Sequence, residues 1–234
     1  DFSHSDDIAH INHLLPIFED PRYIKIDGKP LILIYRINSL PNARRTADTW
    51  REAAVKYGFP GIYLCSVVSL SILHFDPTKV GFDAAVDFVP DWKYLPDPKK
   101  PPGYNNPLLR KIMKKAFPDS LYLFNHVSTY ENLMRNMVAR PEPNFKMFPC
   151  VTPGWDNSAR KKKFAKIFYG SNPSIYGKWL EIALNLSRKR FANRDEQLVF
   201  INAWNEWGEG NHLEPDLKWG RVYLETTYKV LQKN

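Results

Sequence analysis

The sequence predicts an α/β protein in which helices cover a parallel β-sheet. Predicted strands and helices alternate along the 234 residues, which is the order expected of such a fold. The predicted strands are continuous apolar runs without alternation, as is typical of strands buried on both faces. Polar clusters follow three of these runs, at Tyr35-Arg36, at Trp155–Asn157 and at Asn205–Glu214. We therefore expect functional groups at the carboxyl ends of the strands.

The first half of the chain contains two predicted helices and three predicted strands. Ser5 or Asp6 can cap the first helix, and Gly58 lies just past the end of the second. In chain order the elements are a helix (5–18), an extended segment that turns at Asp27-Gly28 (22–29), a strand (31–36), a helix whose Trp50, Ala54 and Tyr57 share a stripe (43–57), a strand (62–68) and a strand (82–88).

The second half begins with a loop rich in proline and lysine (90–107), of a kind often found beside a binding face. The elements that follow are a basic helix (108–116), an ambiguous segment (121–126), a helix (129–138), a strand (145–152), a helix (174–186), a strand starting at Leu198 and a closing helix (223–231). Five convincing strands result. The sheet is therefore either open or part of a (β/α)₈ barrel whose first strands lie outside this sequence.

Composition and charge limit the classes of protein. The length suits one domain over residues 1–234, and an apolar content of 44% with 14% aromatic residues describes a folded globular chain. No apolar run reaches the length of a membrane span, so no transmembrane segment is predicted. The net charge of +8 suits sugar nucleotides, anionic glycans, a phospholipid surface or nucleic acid, or serves solubility alone. No nucleic-acid-binding motif accompanies the charge, so nucleic acid is not a predicted partner.

The candidate site is the segment Leu198-Val-Phe-Ile-Asn-Ala-Trp-Asn-Glu-Trp-Gly-Glu-Gly-Asn-His-Leu-Glu-Pro-Asp216. Gly208 and Gly210 predict a tight turn after the strand. If the turn is helical, the Cβ atoms of Glu206 and Glu209 lie roughly 5–6 Å apart, close to the roughly 5–5.5 Å between the carboxyl groups of a retaining glycosidase. Trp204 and Trp207 offer flat apolar faces for sugar rings, beside Asn205, His212 and Glu214. The alternative is a solvated loop whose acids cap a helix.

Other polar residues carry weaker signals. Arg160–Lys163 is a run of four basic residues, either a solvated face or an anion-binding rim. His4, His10 and His13 lack added cysteines or acids at ligand spacing, so no metal site is predicted. Cys65 and Cys150 sit in apolar runs, which favours buried thiols over a disulfide framework and fits a reducing compartment. We expect a cytoplasmic protein, with peripheral membrane attachment as an alternative.

The segment Phe200–Asp216 resembles the signature of the WbsX-type domain of polysaccharide-biosynthesis proteins, which is described as similar to glycoside hydrolase family 99. Further matches are Asp20-Pro-Arg-Tyr-Ile-Lys-Ile-Asp-Gly-Lys-Pro-Leu-Ile-Leu-Ile-Tyr-Arg36, Gly81-Phe-Asp-Ala-Ala-Val86 and Pro153-Gly-Trp-Asp-Asn157. The resemblance spans nearly the whole chain. It implies a carboxyl-terminal portion of a (β/α)₈ barrel, strands four to eight, without the part that supplies the first three.

The resemblance also implies roles for the two glutamates. Family 99 enzymes cleave internal α-mannosidic bonds with retention. The first acid of their motif, here Glu206, is implied as a base that assists attack by the sugar's own 2-hydroxyl, and the second, here Glu209, as the general acid. Tyr35 matches a tyrosine near the reacting sugar, and Trp155, Asp156 and Asn157 would contact sugar hydroxyls. Two close acids push their pKa values apart, which suits these two roles.

Three functional hypotheses follow. The first is an enzyme, without metal or cofactor, that cleaves or transfers a glycosidic bond of cell-surface polysaccharide through Glu206 and Glu209. The second is a glycosyltransferase that binds the diphosphate of a sugar nucleotide through Arg36, Arg160 and Lys161–Lys163. The third is a glycan-binding remnant without activity. The implied partner is an oligosaccharide or polysaccharide, joined in the second hypothesis by a sugar nucleotide.

Overall fold

The computed structural model describes residues 3–68, 75–161 and 163–233. The chain divides into two compact units. The first unit comprises Asp1–Phe88, Glu142–Cys150 and Leu184–Phe200, and the second comprises Val89–Pro141, Val151–Ala183 and Ile201–Asn234. The single domain over residues 1–234 stays a prediction.

Helices and strands alternate through most of the described residues, which confirms the predicted α/β class. The α-helices are α1 (His4–Leu14), α2 (Ala43–Tyr57), α3 (Pro107–Ala116), α4 (Leu121–Phe124), α5 (Tyr130–Val138), α6 (Pro173–Arg190) and α7 (Val222–Lys233). The strands are β1 (Lys25–Ile26), β2 (Lys29–Ile34), β3 (Tyr63–Val68), β4 (Ala84–Asp87), β5 (His126–Thr129), β6 (Met147–Phe148), β7 (Cys150–Val151), β8 (Trp155–Asp156), β9 (Lys166–Tyr169), β10 (Phe200–Ile201), β11 (Asn205–Glu206) and β12 (Asn211–His212).

The first unit contains a sheet of order β1-β2-β3-β4-β6. Strands β2, β3, β4 and β6 are parallel, with Ile32 opposite Leu64 and Val67 opposite Val86. β1 joins the edge as an antiparallel hairpin whose turn is Asp27-Gly28, as the sequence predicts. The carboxyl ends of β2, β3 and β4 therefore share one edge of this sheet.

The side chains of the sheet enter two apolar clusters, one on each face. Ile32 and Leu64 pack in the cluster that contains Trp50 of α2 and Ile11 of α1. Leu31, Tyr63, Cys65, Val86 and Phe148 form the other cluster. Burial on both faces is the reason the strand sequences lack apolar alternation.

Helices α1 and α2 match their predictions closely. The structure places the N-cap of α1 at Ser3 instead of Ser5 or Asp6, because Ser3 and Asp6 form a reciprocal capping box. The observed bounds of α2 are the predicted ones. Trp50 of α2 donates a hydrogen bond to the backbone oxygen of Asp7 at 2.9 Å. Tyr57 is 42% exposed, so the buried stripe ends at Ala54.

The second unit contains a three-stranded sheet of order β5-β9-β8 and the antiparallel pair β11–β12. β5 and β9 pair in parallel, and β8 pairs with β9 in antiparallel orientation. Residues 121–126 are ambiguous from sequence, and no strand is predicted at 166–169. The first segment forms helix α4 and the start of β5, and the second forms β9. β5 and β9 are each four residues long, and strands this short lack a long apolar signature.

Two predicted strands are shorter than expected. The run from Phe145 to Thr152 divides at Pro149 into β6 and β7, since proline lacks the N–H that a sheet position donates. Among the described residues, the run that begins at Leu198 pairs with β7 at Phe200–Ile201, and its residues are half-buried. The expectation of burial on both faces is therefore wrong for this run in the present chain.

Candidate active site

The two candidate glutamates lie on one hairpin, Asn205–His212, called here the 205–212 hairpin. Its strands are antiparallel, with Asn205 opposite His212 and Glu206 opposite Asn211. A single 3₁₀ turn, Trp207–Glu209, joins them, so the turn predicted between the acids is helical. Gly210 ends the turn in the left-handed region with φ 56°. Glu206 occupies the N-cap position but its side chain makes no capping hydrogen bond, which removes support for the alternative of a helix cap.

The hairpin packs closely on a second polar segment, Thr152–Asn157, called here the 152–157 turn. A Cβ atom added at Gly154 would lie 3.0 Å from the backbone oxygen of Gly210. A Cβ added at Gly210 would lie 3.0 Å from the backbone oxygen of Asp156 and 3.2 Å from its nitrogen. Two polar clusters that are some fifty residues apart in sequence thus meet backbone to backbone. Only glycine at these two positions permits that approach.

Buried hydrogen bonds fix the contact between these two segments. Asn211 is fully buried, and its Oδ1 accepts from the backbone N–H of Ala203 at 3.2 Å. The hydroxyl of Thr152, also fully buried, lies 2.6 Å from Asn211 Oδ1 and 2.7 Å from the backbone oxygen of Gly154. Losing a buried hydrogen bond of this kind leaves a polar group without a partner. Asn211 therefore anchors the hairpin on the 152–157 turn.

The two glutamates differ in their surroundings. Glu206 is exposed, whereas the side chain of Glu209 is largely buried. Burial is the largest effect on the pKa of Glu209 and raises it. The positive charges of Arg160 and Lys161 lower this pKa, whereas the negative charge of Glu206 raises it. Arg160 also donates to Glu209 Oε1 in an ion pair. The site thus contains one carboxyl with a raised affinity for a proton beside one open to solvent.

The aromatic and acidic residues after Glu206 form a connected chain of contacts. The rings of Trp207 and His212 stack with centroids 3.7 Å apart. Trp207 Nε1 donates to Glu214 Oε2 at 2.7 Å, and His212 Nε2 lies 3.1 Å from Asp216 Oδ2. The hydrogen bonds that Asp216 accepts lower its pKa against the opposing effect of burial. These contacts hold the indole of Trp207, which is half exposed, in one orientation.

The remaining predicted residues of this unit divide into exposed and buried groups. Trp204 and Asn205 are exposed, as is Asp156, whose Oδ1 accepts from the backbone N–H of Ser158. Trp155 is 3% exposed and packs edge-on against Trp92, so it offers no face to solvent. Asn157 is buried, and its Oδ1 accepts from the backbone N–H of Lys166 at 2.8 Å. The structure gives Trp155 and Asn157 a role in packing; contact with sugar stays a prediction for them.

Tyr35 and Arg36 belong to the first unit, at the carboxyl end of β2. Tyr35 is half exposed and packs edge-on against Phe88, with the guanidinium of Arg36 6.0 Å from its ring centroid. In the basic run, Arg160 pairs with Glu209 and Lys163 lies over the ring of Phe124. Lys162 lies outside the described residues. Arg160, Lys161 and Lys163 are all exposed, and both alternatives, a solvated face and an anion-binding rim, stay predictions.

Sequence reasoning missed the residues that position the hairpin. Asn211 lies inside the candidate segment but was not singled out, and Thr152 was assigned only to the end of a strand. The spacing of His212 and Asp216, four residues apart, could have indicated their contact. Nothing in the sequence indicates that Gly154 and Gly210 touch, because the contact joins distant segments.

Three further findings concern cysteines, metals and membranes. Cys65 and Cys150 are buried thiols, as predicted. Among residues 3–68, 75–161 and 163–233, no three His, Cys, Asp or Glu side chains cluster in a way that could hold a metal ion. None of the helices in the described part of the chain has both the length and the apolar character needed to cross a membrane.

Comparison with known proteins places the chain in a family. Residues 1–227 match the family described as "Glycosyltransferase WbsX". The chain belongs to this family. It is also 33% identical over 237 aligned residues to "Uncharacterized protein WxcX" of two strains of Xanthomonas campestris pv. campestris. These matches cover the whole chain but only 31% of each relative, so the chain spans about a third of the length of these WbsX-family relatives.

The fold of this WbsX-family chain is similar to that of glycoside hydrolases. One solved structure, a "Glycoside hydrolase-like protein", superposes with a TM-score of 0.56 at 13% identity, over 98% of this chain and 62% of that one. The GH99 endo-alpha-mannosidase from Bacteroides thetaiotaomicron superposes with a TM-score of 0.52 at 16% identity, over 99% of this chain and 62% of the enzyme. The α/β fold is thus similar to that of GH99 enzymes. The assignment to barrel strands four to eight stays a prediction.

Proposed function

We propose that this chain carries the catalytic glutamates of a carbohydrate-active enzyme that acts on glycosidic bonds of cell-surface polysaccharide. The observation that carries the proposal is the pair on the 205–212 hairpin: Glu209 is largely buried with a raised pKa, and Glu206 is exposed next to it. Membership of the WbsX family and a fold similar to that of an endo-α-mannosidase support the same class of reaction.

In the proposed reaction the two carboxyls take different roles. Glu209, whose burial favours the protonated form, donates its proton to the leaving glycosidic oxygen. Glu206, as a carboxylate, removes the proton of the sugar's 2-hydroxyl, whose oxygen then bonds to the anomeric carbon while the glycosidic bond breaks. Environment distinguishes the acid from the base in this scheme, as in other carboxylate pairs.

Arg160 stabilises the ionised form of Glu209. Its guanidinium pairs with the ionised form of Glu209 and holds the carboxylate in place after the proton has left. Burial and Arg160 act in opposite directions on the pKa of Glu209, and burial is the larger effect. Glu209 can therefore be protonated for the first step without being a buried acid that never ionises.

The sugar-binding surface is proposed to include Trp204 and Trp207. Both indoles are about half exposed, and one face of Trp207 is already covered by His212, which leaves the other for an apolar sugar face. Asn205 and Asp156 are exposed polar residues on the two segments that meet at Gly154 and Gly210. Their side chains would bind sugar hydroxyls.

The proposal is tested with Glu206→Gln and Glu209→Gln and two substrates, an oligosaccharide and an aryl glycoside of the same sugar. A good leaving group does not need protonation, so Glu209→Gln should lose oligosaccharide cleavage by about 100-fold or more but retain most aryl glycoside cleavage. Glu206→Gln should lose both. Comparing kcat/KM for the two substrates separates the roles.

Glu225→Gln on α7 is the matched control, because Glu225 is an exposed glutamate outside the motif. It should behave as the unmodified protein with both substrates. Full activity of both Glu206→Gln and Glu209→Gln, with folded chains by circular dichroism, would contradict the assignment. Binding of oligosaccharides without any product would favour the glycan-binding remnant.

The family description favours a second candidate, a glycosyltransferase that uses a sugar nucleotide. Arg160 and Lys161, whose charges both act on Glu209, would then bind the diphosphate. Calorimetric titration with a panel of nucleoside diphosphate sugars tests it. Binding that weakens at least about tenfold in Arg160→Ala supports transfer, and the lack of heat with every member of the panel contradicts it.

A further inference from the structure

Helix α3 presents its apolar side chains to solvent. Leu108 is 68% exposed, Ile112 54% and Leu109 46%, and Phe117, directly after the helix, is 62% exposed. None of the residues of α3 is buried. Leu108 and Ile112 are four residues apart and Leu109 lies beside them on the helix surface, so they form one stripe. A helix on a globular protein usually turns such a stripe to the core.

Basic side chains of α3 occupy the side of the helix opposite the exposed apolar stripe. Arg110 lies over the ring of Tyr104, with 5.6 Å from its guanidinium carbon to the ring centroid, and Lys114 lies 5.4 Å from the centroid of Phe124. Cations therefore cover the aromatic residues on the side of α3 that faces the protein. Lys111 and Lys115 are exposed and flank the apolar stripe.

The chain around α3 is predominantly basic. Residues 98–118 contain six basic residues, at 99, 100, 110, 111, 114 and 115, and the acids that border this stretch are Asp97 and Asp119. Lys163, from a different segment, lies 4.6 Å from the centroid of Phe124, the same ring that Lys114 covers. The exposed apolar stripe of α3 is therefore surrounded mainly by positively charged side chains.

We propose that this surface, the α3 face (Leu108, Leu109, Ile112, Phe117, Lys111 and Lys115), binds the surface of an anionic lipid membrane. Apolar side chains on an exposed helix enter the boundary of headgroups and acyl chains, and flanking lysines attract anionic headgroups. A second copy of the chain is a poorer occupant, since it would bring two sets of lysines together. Nucleic acid would use the charge but not the leucine, isoleucine and phenylalanine side chains.

Membrane binding through the α3 face is independent of the proposed enzymatic activity. The test measures cosedimentation of the chain with vesicles of phosphatidylcholine alone and of phosphatidylcholine with phosphatidylglycerol. The unmodified chain should bind the anionic vesicles and not the neutral ones. Leu108→Ser with Ile112→Ser should weaken binding about tenfold or more, and so should Lys111→Glu with Lys115→Glu. All four residues are exposed, so these changes should leave folding intact.

Helix α7 supplies matched controls because it too has exposed apolar and basic residues. Tyr228→Ser with Leu231→Ser, and Lys229→Glu with Lys233→Glu, repeat the same changes on another helix. Binding that stays unchanged in both controls supports the α3 face. If the α3 and α7 charge variants lose vesicle binding equally, the proposal is overturned, since net charge alone would then account for the binding.

Two other outcomes would also overturn it. One is the lack of binding to any vesicle. The other is a mass by light scattering that falls from dimer to monomer in Leu108→Ser with Ile112→Ser, which would make a second copy the occupant. Binding to a random DNA duplex in place of anionic vesicles, lost in the lysine variant but kept in the serine variant, would likewise overturn the proposal and make nucleic acid the occupant.

Discussion

The parallel sheet of the first unit and the 205–212 hairpin of the second are stabilised in different ways. Apolar clusters on both faces stabilise the sheet. The loss of one apolar contact in these clusters leaves many others in place. The hairpin is exposed at Asn205–Gly208 and depends on two buried side chains, Thr152 and Asn211, and on two glycines in close contact with the facing backbone. The sheet should therefore tolerate small changes that displace the hairpin and abolish activity.

The largest effect should follow from Gly210→Ala. The added Cβ would clash with the backbone of Asp156, and the left-handed backbone of Gly210 resists a side chain. We expect a loss of stability of about 1–2 kcal/mol from the backbone conformation and about 1–3 kcal/mol more from the clash. Moving the proposed catalytic glutamates by about an ångström should lower kcat/KM by about 100-fold or more.

Gly220→Ala separates the effect of the left-handed backbone conformation from the effect of the clash with Asp156. Gly220 has φ 54°, almost the same as Gly210, but a Cβ there would meet nothing within 4 Å. It should lose only the conformational part, about 1–2 kcal/mol by chemical denaturation, and keep its activity. Equal kinetic effects in the two variants would show that the close approach to Asp156 is not what positions the hairpin.

A smaller effect should follow from replacing one buried threonine in each unit. Thr152→Val removes the hydroxyl next to Asn211, and Thr46→Val removes a hydroxyl that donates to Asp7 Oδ2 at 2.9 Å. Both should cost about 1–3 kcal/mol of unfolding free energy, because each removes a hydrogen bond to a buried acceptor. Only Thr152→Val should also lower kcat/KM, by about tenfold.

Steady-state kinetics beside urea denaturation of both threonine variants test this difference. Circular dichroism should show native helix content in each. If Thr46→Val lowers kcat/KM as much as Thr152→Val, loss of stability alone would explain the kinetics, and the distinction between sheet and hairpin would be lost.

The smallest change should be a shift in pH dependence in Arg160→Ala. The charge of Arg160 lowers the pKa of Glu209, so its removal should raise that pKa further. A general acid works below its pKa, so the alkaline limb of the kcat/KM profile should move to higher pH. Lys163→Ala is the control, since Lys163 covers Phe124 and should leave the limb in place. Movement to lower pH in Arg160→Ala would contradict the role of Glu209 as the acid.

The sequence predicted elements whose signal is local. Helix α2 was predicted with its observed bounds, because its apolar spacing and the glycine that follows it are local signals. The turn at Asp27-Gly28 and strands β2 and β3 were also predicted. The short strands β5 and β9 were not, since partners far along the chain stabilise them. Pro149 could have indicated the break between β6 and β7.

By itself the sequence determined which residues are candidates for chemistry: Glu206 and Glu209, three residues apart between tryptophans, in a segment typical of a strand end. Only the tertiary structure decided which of the two is buried, that Arg160 pairs with it, and that Trp155 and Asn157 face inward. The reason is physical. Backbone preference and apolar spacing act between near neighbours in the chain, whereas desolvation and ion pairing depend on groups that folding brings from distant segments.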